Sequence, residues 1–300
     1  MPADSVTTDW MTGLPRSRVE VAIWPGGARV AVAFVLYVEQ WGFGHGPNLR
    51  PEMATRNPDF VNESFREYAI RVGLPRISRL FGDLGIPLSL AVSTSYPQTY
   101  PALWDQICEA SEGASVVAHG VNNSTDQLPL GEGITMQIGY ISECLDNLRD
   151  VTGNRPIGWS SPSVYCNAET FSASTAAGVR YSLDGMDSDN LWTLDTPNGD
   201  LLLIPYPTQA VDMGYYLGRN QQATNLEQMW RDYVAELVRE ATNNPDTDAT
   251  CVAIGIHPFV MGTPDGTAAL RRLLLEFEDD QHIWLANTDA IYAHVLGQVT

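Results

Sequence analysis

Short apolar runs rich in β-branched residues recur along this chain, and two of them stop at a histidine. These are Ser115-Val116-Val117-Ala118-His119-Gly120 and Ala253-Ile254-Gly255-Ile256-His257-Pro258. Such a run reads as a buried strand that presents one working group at its exit. The chain holds five histidines in 300 residues, so two in the same setting point to an enzyme built on parallel strands.

Further strand-like runs cover 29–38, 87–92, 156–159, 179–183, 201–204 and 282–285, with the two histidine runs at 115–118 and 251–256. Helical patterns lie between most of them. Thr224-Asn225-Leu226-Glu227 reads as a capping box, followed by Met229, Trp230, Tyr233, Val234, Leu237 and Val238 on one apolar face. A second helix carries Ile134, Ile138, Ile141, Leu145 and Leu148 and stops near Gly153. Others are expected at 74–84, 101–110, 168–177, 268–278 and 288–295. Alternating strands and helices predict an α/β fold with a parallel sheet. Seven or eight units in 300 residues suit a distorted, TIM-like (β/α)7-8 barrel better than an open sheet. No Gly-x-Gly-x-x-Gly follows the first strand, which removes the usual evidence for a dinucleotide fold. No linker is visible, so residues 1–300 are read as a single domain, with 1–28 as an N-terminal arm and 41–62 as a long loop over the barrel mouth.

The apolar fraction of 44% supports a full core. A formal charge of −19 offers no basic surface for a phosphate backbone, so no nucleic-acid partner is expected. The longest apolar stretch, 30–38, is about half the length a membrane helix needs. No secretory segment is visible at the start of the sequence. Cys108, Cys144, Cys166 and Cys251 are widely spaced and read as free thiols. Together these predict a cytoplasmic protein acting on a small molecule, with no membrane partner.

In a barrel of this kind, functional groups follow the strands at one face. The residues at those exits are Tyr37, Glu39 and Gln40, then Ser93 and Thr94, then His119, Asn122 and Asn123. Ser160 and Ser161 follow, then Asp184, Asp187 and Asp189, then Tyr206 and His257. They include general acid–base candidates and hydrogen-bond donors. Each also has a plain structural reading: Glu39 as an ion-pair partner of Arg50 or Arg56, the three aspartates as solvated turn formers, and His45, His282 and His294 as exposed or packing residues. Ser161 lacks the Gly-x-Ser-x-Gly elbow of a serine hydrolase.

These segments, in this order, resemble the polysaccharide deacetylase superfamily (carbohydrate esterase family 4), and within it the branch of allantoinase-type, cyclic-imide-hydrolase and intracellular peptidoglycan-deacetylase-like proteins. The resemblance rests on 32–39, 66–73, 80–87, Ala118-His119-Gly120, 152–159, 181–184, 203–206 and Ile256-His257-Pro258. It implies a distorted barrel, commonly of seven strands. It also implies that the base and metal aspartates of metal-dependent members correspond to Tyr37 and Glu39, their histidine pair to His119 and Asn123, and their late general acid to His257. A set of Glu39, His119 and an Asn123 amide is a poor zinc site, and Tyr37 is a poor base at neutral pH. No cofactor is therefore expected, with zinc or another divalent cation on Glu39, His119 and Asn123 as the alternative.

The expected chemistry is hydrolysis of a non-peptide C–N bond in a small cyclic amide, imide or ureide. His119 or Glu39 would activate water and His257 would protonate the leaving nitrogen. Tyr37, Asn123 and Ser161 would donate to the oxyanion, while Trp41, Trp159, Tyr206, Phe43 and Tyr165 would wall the pocket. The alternatives are a metal-dependent N-deacetylase of an acetylated sugar, a non-hydrolytic acid–base enzyme, or a binding protein on the same barrel. The resemblance also implies a homo-oligomer.

Overall fold

The computed structural model describes residues 7–48, 58–124, 127–219, 222–244 and 248–299. Its strands are β1 (Thr7–Thr8), β2 (Pro15–Arg18), β3 (Val30–Val38), β4 (Ser89–Val92), β5 (Ser115–Ala118), β6 (Gly158–Trp159), β7 (Tyr181–Ser182), β8 (Trp192–Thr196), β9 (Gly199–Leu203), β10 (Thr250–Ile256) and β11 (Ile283–Leu285). Its helices are α1 (Phe60–Tyr68), α2 (Leu74–Leu84), α3 (Ser95–Thr99), α4 (Pro101–Ala110), α5 (Ile134–Thr152), α6 (Ala168–Ala177), α7 (Asp212–Arg219), α8 (Ala223–Asn243), α9 (Pro258–Met261), α10 (Pro264–Asp279) and α11 (Thr288–Val299). A π-helical turn at Ala69–Gly73 joins α1 to α2.

All strands belong to one sheet, in the order β1-β2-β8-β9-β7-β6-β5-β4-β3-β10. From β9 to β10 every neighbour is parallel. β11 pairs with the first residues of β3 and β4 with its last ones. The strand path is open, yet the seam between its parallel ends is bridged. The Ala253 N–H donates to the Pro205 carbonyl at 2.8 Å, and Val211 pairs with Gly255. The result is a distorted barrel with helices outside.

β3 explains why the strands are apolar throughout. Val30, Val32, Phe34, Leu36 and Val38 pack with helix residues such as Leu74, Ile77, Leu273 and Phe277. Ala31, Ala33, Val35 and Tyr37 pack inward with Val117, Tyr181, Leu202, Tyr206, Cys251 and Ala253. A parallel strand covered on both faces shows no polar alternation. Two large rings fill the interior where a neighbouring strand carries glycine: a Cβ on Gly158 would overlap Tyr181, and one on Gly255 would overlap Tyr206. At the strand starts, Ser89, Ser115, Tyr181 and Thr288 share hydroxyl hydrogen bonds of 2.7–3.2 Å. They fix the first turn of α11.

The N-terminal arm is part of the sheet rather than an appendage. β2 pairs with β8, and Val21 and Trp24 are buried in the inner cluster. Arg16 holds the arm down: its guanidinium reaches Asp9 at 3.1 Å and Asp187 at 2.6 Å, and it lies 4.2 Å from the Trp192 ring. The capping box expected at Thr224 is absent, because the cap is Gln222 and its side chain makes no capping bond. Glu227 is drawn instead to Arg231 and Arg272. Of the expected mouth loop, 49–57 lies outside the described residues, and so do Arg50 and Arg56. Its end is helical, with Asp59 capping α1 through the Val61 and Asn62 amides. Among the described residues no helix is long and apolar enough to cross a membrane.

Candidate active site

The strand exits converge at one face. Glu39 follows β3, His119 follows β5 and His257 follows β10, and all three are buried. Alternation carries this placement, since Tyr37 and Glu39 continue the inward series Ala31, Ala33, Val35, and His257 continues Cys251, Ala253, Gly255.

Hydrogen bonds fix the role of each group. His119 Nδ1 donates to the Ser160 carbonyl at 2.7 Å, which turns Nε2 toward Glu39 and Asn123. That atom lies 3.3 Å from Glu39 Oε1. The Asn123 amide bridges the two acceptors, with Nδ2 donating to Glu39 Oε1 and to His119 Nε2 at 3.1 Å. Asn123 Oδ1 in turn accepts from Ser93 Oγ at 3.0 Å. Glu39 Oε2 is buried with no hydrogen-bond partner, 3.9 Å from His257 Nε2.

His257 is held by Asp212, the first residue of α7. The carboxylate takes the imidazole Nδ1–H at 2.6 Å and the His257 backbone N–H at 2.7 Å. Burial opposes protonation of His257, but the charge and hydrogen bond of Asp212, with Glu39 adding to them, outweigh it and raise the pKa above the ordinary histidine value. Tyr37 stacks face to face on this imidazole, with centroids 4.5 Å apart and planes 1° apart, and meets His119 edge-on at 4.9 Å. Burial pushes the Tyr37 phenol well up. It therefore stays protonated and offers a donor, not a base, with its hydroxyl 3.3 Å from Ser160 Oγ.

A cavity of about 200 Å³ opens on Tyr37, Glu39, His119, Tyr206 and His257. That is smaller than the usual pocket for a drug-sized ligand. The other wall is apolar: Val164 from the segment after β6, Met186 from the segment after β7, and Val211 and Met213 at the start of α7. Ser163 and Val164 both adopt left-handed backbone, with φ of 56° and 51°. That is costly for a β-branched residue and worth about 1–3 kcal/mol at functional sites.

Several residues expected at the site lie elsewhere. Trp159 is fully buried on the helix-facing side of the sheet, among Ala118 and the outer core. Ser161 does not reach the cavity: its N–H and hydroxyl are both engaged by Asp184 at 2.8 Å. Trp41 packs on Phe259 with centroids 6.0 Å apart. Asn123 supports Glu39 and His119 from behind, so its amide hydrogens are not open to an oxyanion. Phe43 and Tyr165 are exposed. The aspartates after β7 are not free turn formers. Asp184 is buried against Ser161, Asp187 pairs with Arg16, and Asp189 accepts from Tyr233. Glu39 accepts from the Asn123 amide and lies 3.3 Å from His119 Nε2.

The donor set does not fit a divalent metal. Zinc asks for three strong donors and an open position, whereas Asn123 turns its NH2 toward Glu39 and His119 and its oxygen toward Ser93. The amide hydrogens occupy the role a cation would have between those acceptors. Among the described residues no three His, Cys, Asp or Glu side chains are grouped to hold an ion.

Three features escaped the sequence reading: Asp212, the strained Ser163–Val164 pair, and the apolar wall residues Met186, Val211 and Met213. Asp212 stands 45 positions from its histidine, in a segment with no motif, so only the path of the chain across β10 reveals it. The strained pair carries no glycine to mark it.

No protein-family model matches the chain, and no curated protein sequence matches it. Solved structures do. A protein from Mycobacterium smegmatis classed as a polysaccharide deacetylase superposes with a TM-score of 0.76 at 23% identity, over 94% of this chain and 96% of its own. PuuE allantoinase gives 0.75 at 24% identity, over 91% and 92%. A Pseudomonas aeruginosa PAO1 protein, also classed as a polysaccharide deacetylase, gives 0.74 at 23% identity, over 91% and 93%. The chain has the fold shared by the polysaccharide deacetylases and this allantoinase.

Proposed function

We propose that this protein hydrolyses a non-peptide C–N bond in a small cyclic amide, imide or ureide, by general acid–base catalysis without a metal. One observation carries the reading: a buried carboxylate oxygen with no partner, Glu39 Oε2, lies 3.9 Å from His257 Nε2, whose far side is held by Asp212. Glu39 takes a proton from water, whose oxygen bonds to the ring carbonyl carbon. His257, whose pKa Asp212 raises, gives its Nε2 proton to the ring nitrogen as the C–N bond breaks. The closeness of the two groups lets Glu39 return the proton to His257 after turnover. The Tyr37 hydroxyl, which lines the cavity and stays protonated, is the donor offered to the oxyanion. Each acid–base group contributes about 10²–10⁴-fold, which suits ring carbonyls more electrophilic than an acetamide. The allantoinase fold neighbour supports the cyclic-ureide side of this reading.

The test is a screen of chelator-treated protein against cyclic amides, imides, ureides and N-acetylated sugars, with addition of one water followed by mass. Ring opening that is indifferent to chelator is expected. Deacetylation of a sugar that returns only with added zinc would establish the metal-dependent alternative instead.

A further inference from the structure

We infer that the cavity selects a neutral ring bearing one apolar substituent and rejects the same ring bearing a carboxylate, so that hydrolysis creates a product the site expels. The inference rests on the ring-hydrolase reading above and names the substrate class of that site.

The polar and apolar walls come from different parts of the fold. Glu39, His119, His257 and Tyr37 stand on strand ends, while Val164, Met186, Val211 and Met213 stand on the segments after β6, after β7 and at the start of α7. A ring carbonyl placed at Glu39 and His257 leaves its substituent against the second wall. Two of the four residues there are methionines, whose unbranched side chains adapt to differently shaped apolar groups. A carboxylate on that substituent would leave water for an apolar surface and would also enter the field of the buried Glu39, which has one oxygen already unpaired.

The chemistry then reverses the fit. Water adds its oxygen to the ring carbonyl carbon, the C–N bond breaks, the nitrogen takes a proton, and the new carboxylic acid releases its proton to solvent. A neutral ligand becomes an anion in a site where the Glu39 and Asp212 carboxylates outnumber the one His257 imidazole, and the net like charge drives it out. Weak product inhibition and poor ring closure follow from this repulsion.

The test uses one ring, hydantoin or succinimide, in three forms: unsubstituted, isobutyl-substituted and carboxymethyl-substituted. The isobutyl ring should gain about tenfold in kcat/KM over the unsubstituted one, and the carboxymethyl ring should lose about 100-fold. Met213→Arg should cut that discrimination against carboxymethyl by about tenfold or more. The ring-opened isobutyl product should not inhibit at 100 times the KM of its parent. Equal turnover of the carboxymethyl and isobutyl rings, or product inhibition near KM, overturns the inference. Calorimetry of the three rings on the unmodified protein decides it even where no ring is opened. The binding order isobutyl, unsubstituted, carboxymethyl supports it and any other order overturns it, whereas absence of turnover counts against the ring-hydrolase reading alone.

Discussion

Replacing Asp212 by asparagine tests how the acid is made. Asp212 is fully buried and accepts two hydrogen bonds from His257, at 2.6 Å from Nδ1 and 2.7 Å from the backbone N–H. An asparagine keeps the size but has one acceptor oxygen for these two donors. If its oxygen serves the backbone, its NH2 faces Nδ1, and the ring cannot hold a second proton without a clash of donors. A hydrogen bond to a charged group is worth about 1.5–3 kcal/mol, so losing it shifts the protonation equilibrium of His257 roughly 10- to 150-fold toward the neutral ring. Burial, the force that opposes protonation, then acts against Glu39 alone. We expect kcat/KM at neutral pH to fall about 100-fold or more, and the loss of activity on the alkaline side to begin at lower pH. Stability carries the same signature. Because the folded pKa is raised, the bound proton stabilises the native state fully below the unfolded histidine value of about 6.5 and ceases to do so as pH rises through the folded value. Asp212→Asn should lose that dependence. The assays are pH–rate profiles on an opened ring, denaturant unfolding across pH, and NMR titration of the His257 ring, which needs no substrate. A variant within threefold of the parent in kcat/KM, with an unmoved alkaline limb and an unmoved His257 titration, would refute the reasoning.

Glu39→Gln should keep the fold and lose about 10²–10⁴ in turnover, measured by initial rates beside a circular dichroism melt; turnover at parental level would exclude Glu39 as the base. Gly255→Ala places a methyl group on the Tyr206 hydroxyl and should cost about 1–3 kcal/mol of stability, read by denaturant unfolding. Arg16→Met takes the charge partner from buried Asp9, which keeps only its hydrogen bonds from Met11 and Thr12, and breaks the ion pair of Asp187, the neighbour of the cavity residue Met186. A loss of about 3–5 kcal/mol is expected, with a raised KM for the isobutyl ring where the fold persists.

β3 and β10 were legible because a strand buried on both faces must be apolar at every position, and an imidazole or carboxylate at its end then stands out. Glu39, His119, His257, Tyr37 and Tyr206 do meet around one cavity. The failures share another cause. Ser161 and Trp159 occupy strand-exit positions like their neighbours, but Asp184 and the outer core claim them. At Thr224 the capping motif is intact in sequence, yet two arginines, one of them 45 residues away, draw Glu227 off.

The order of buried runs and the polar residues ending them determined a parallel α/β barrel with acid–base groups at one rim, because burial and alternation act residue by residue along each strand. The tertiary structure alone decided which rim residues face the cavity, that Asp212 stands behind His257, and that the Asn123 amide hydrogens bridge Glu39 and His119. Those outcomes depend on distances between segments far apart in the chain, and no local pattern encodes a distance.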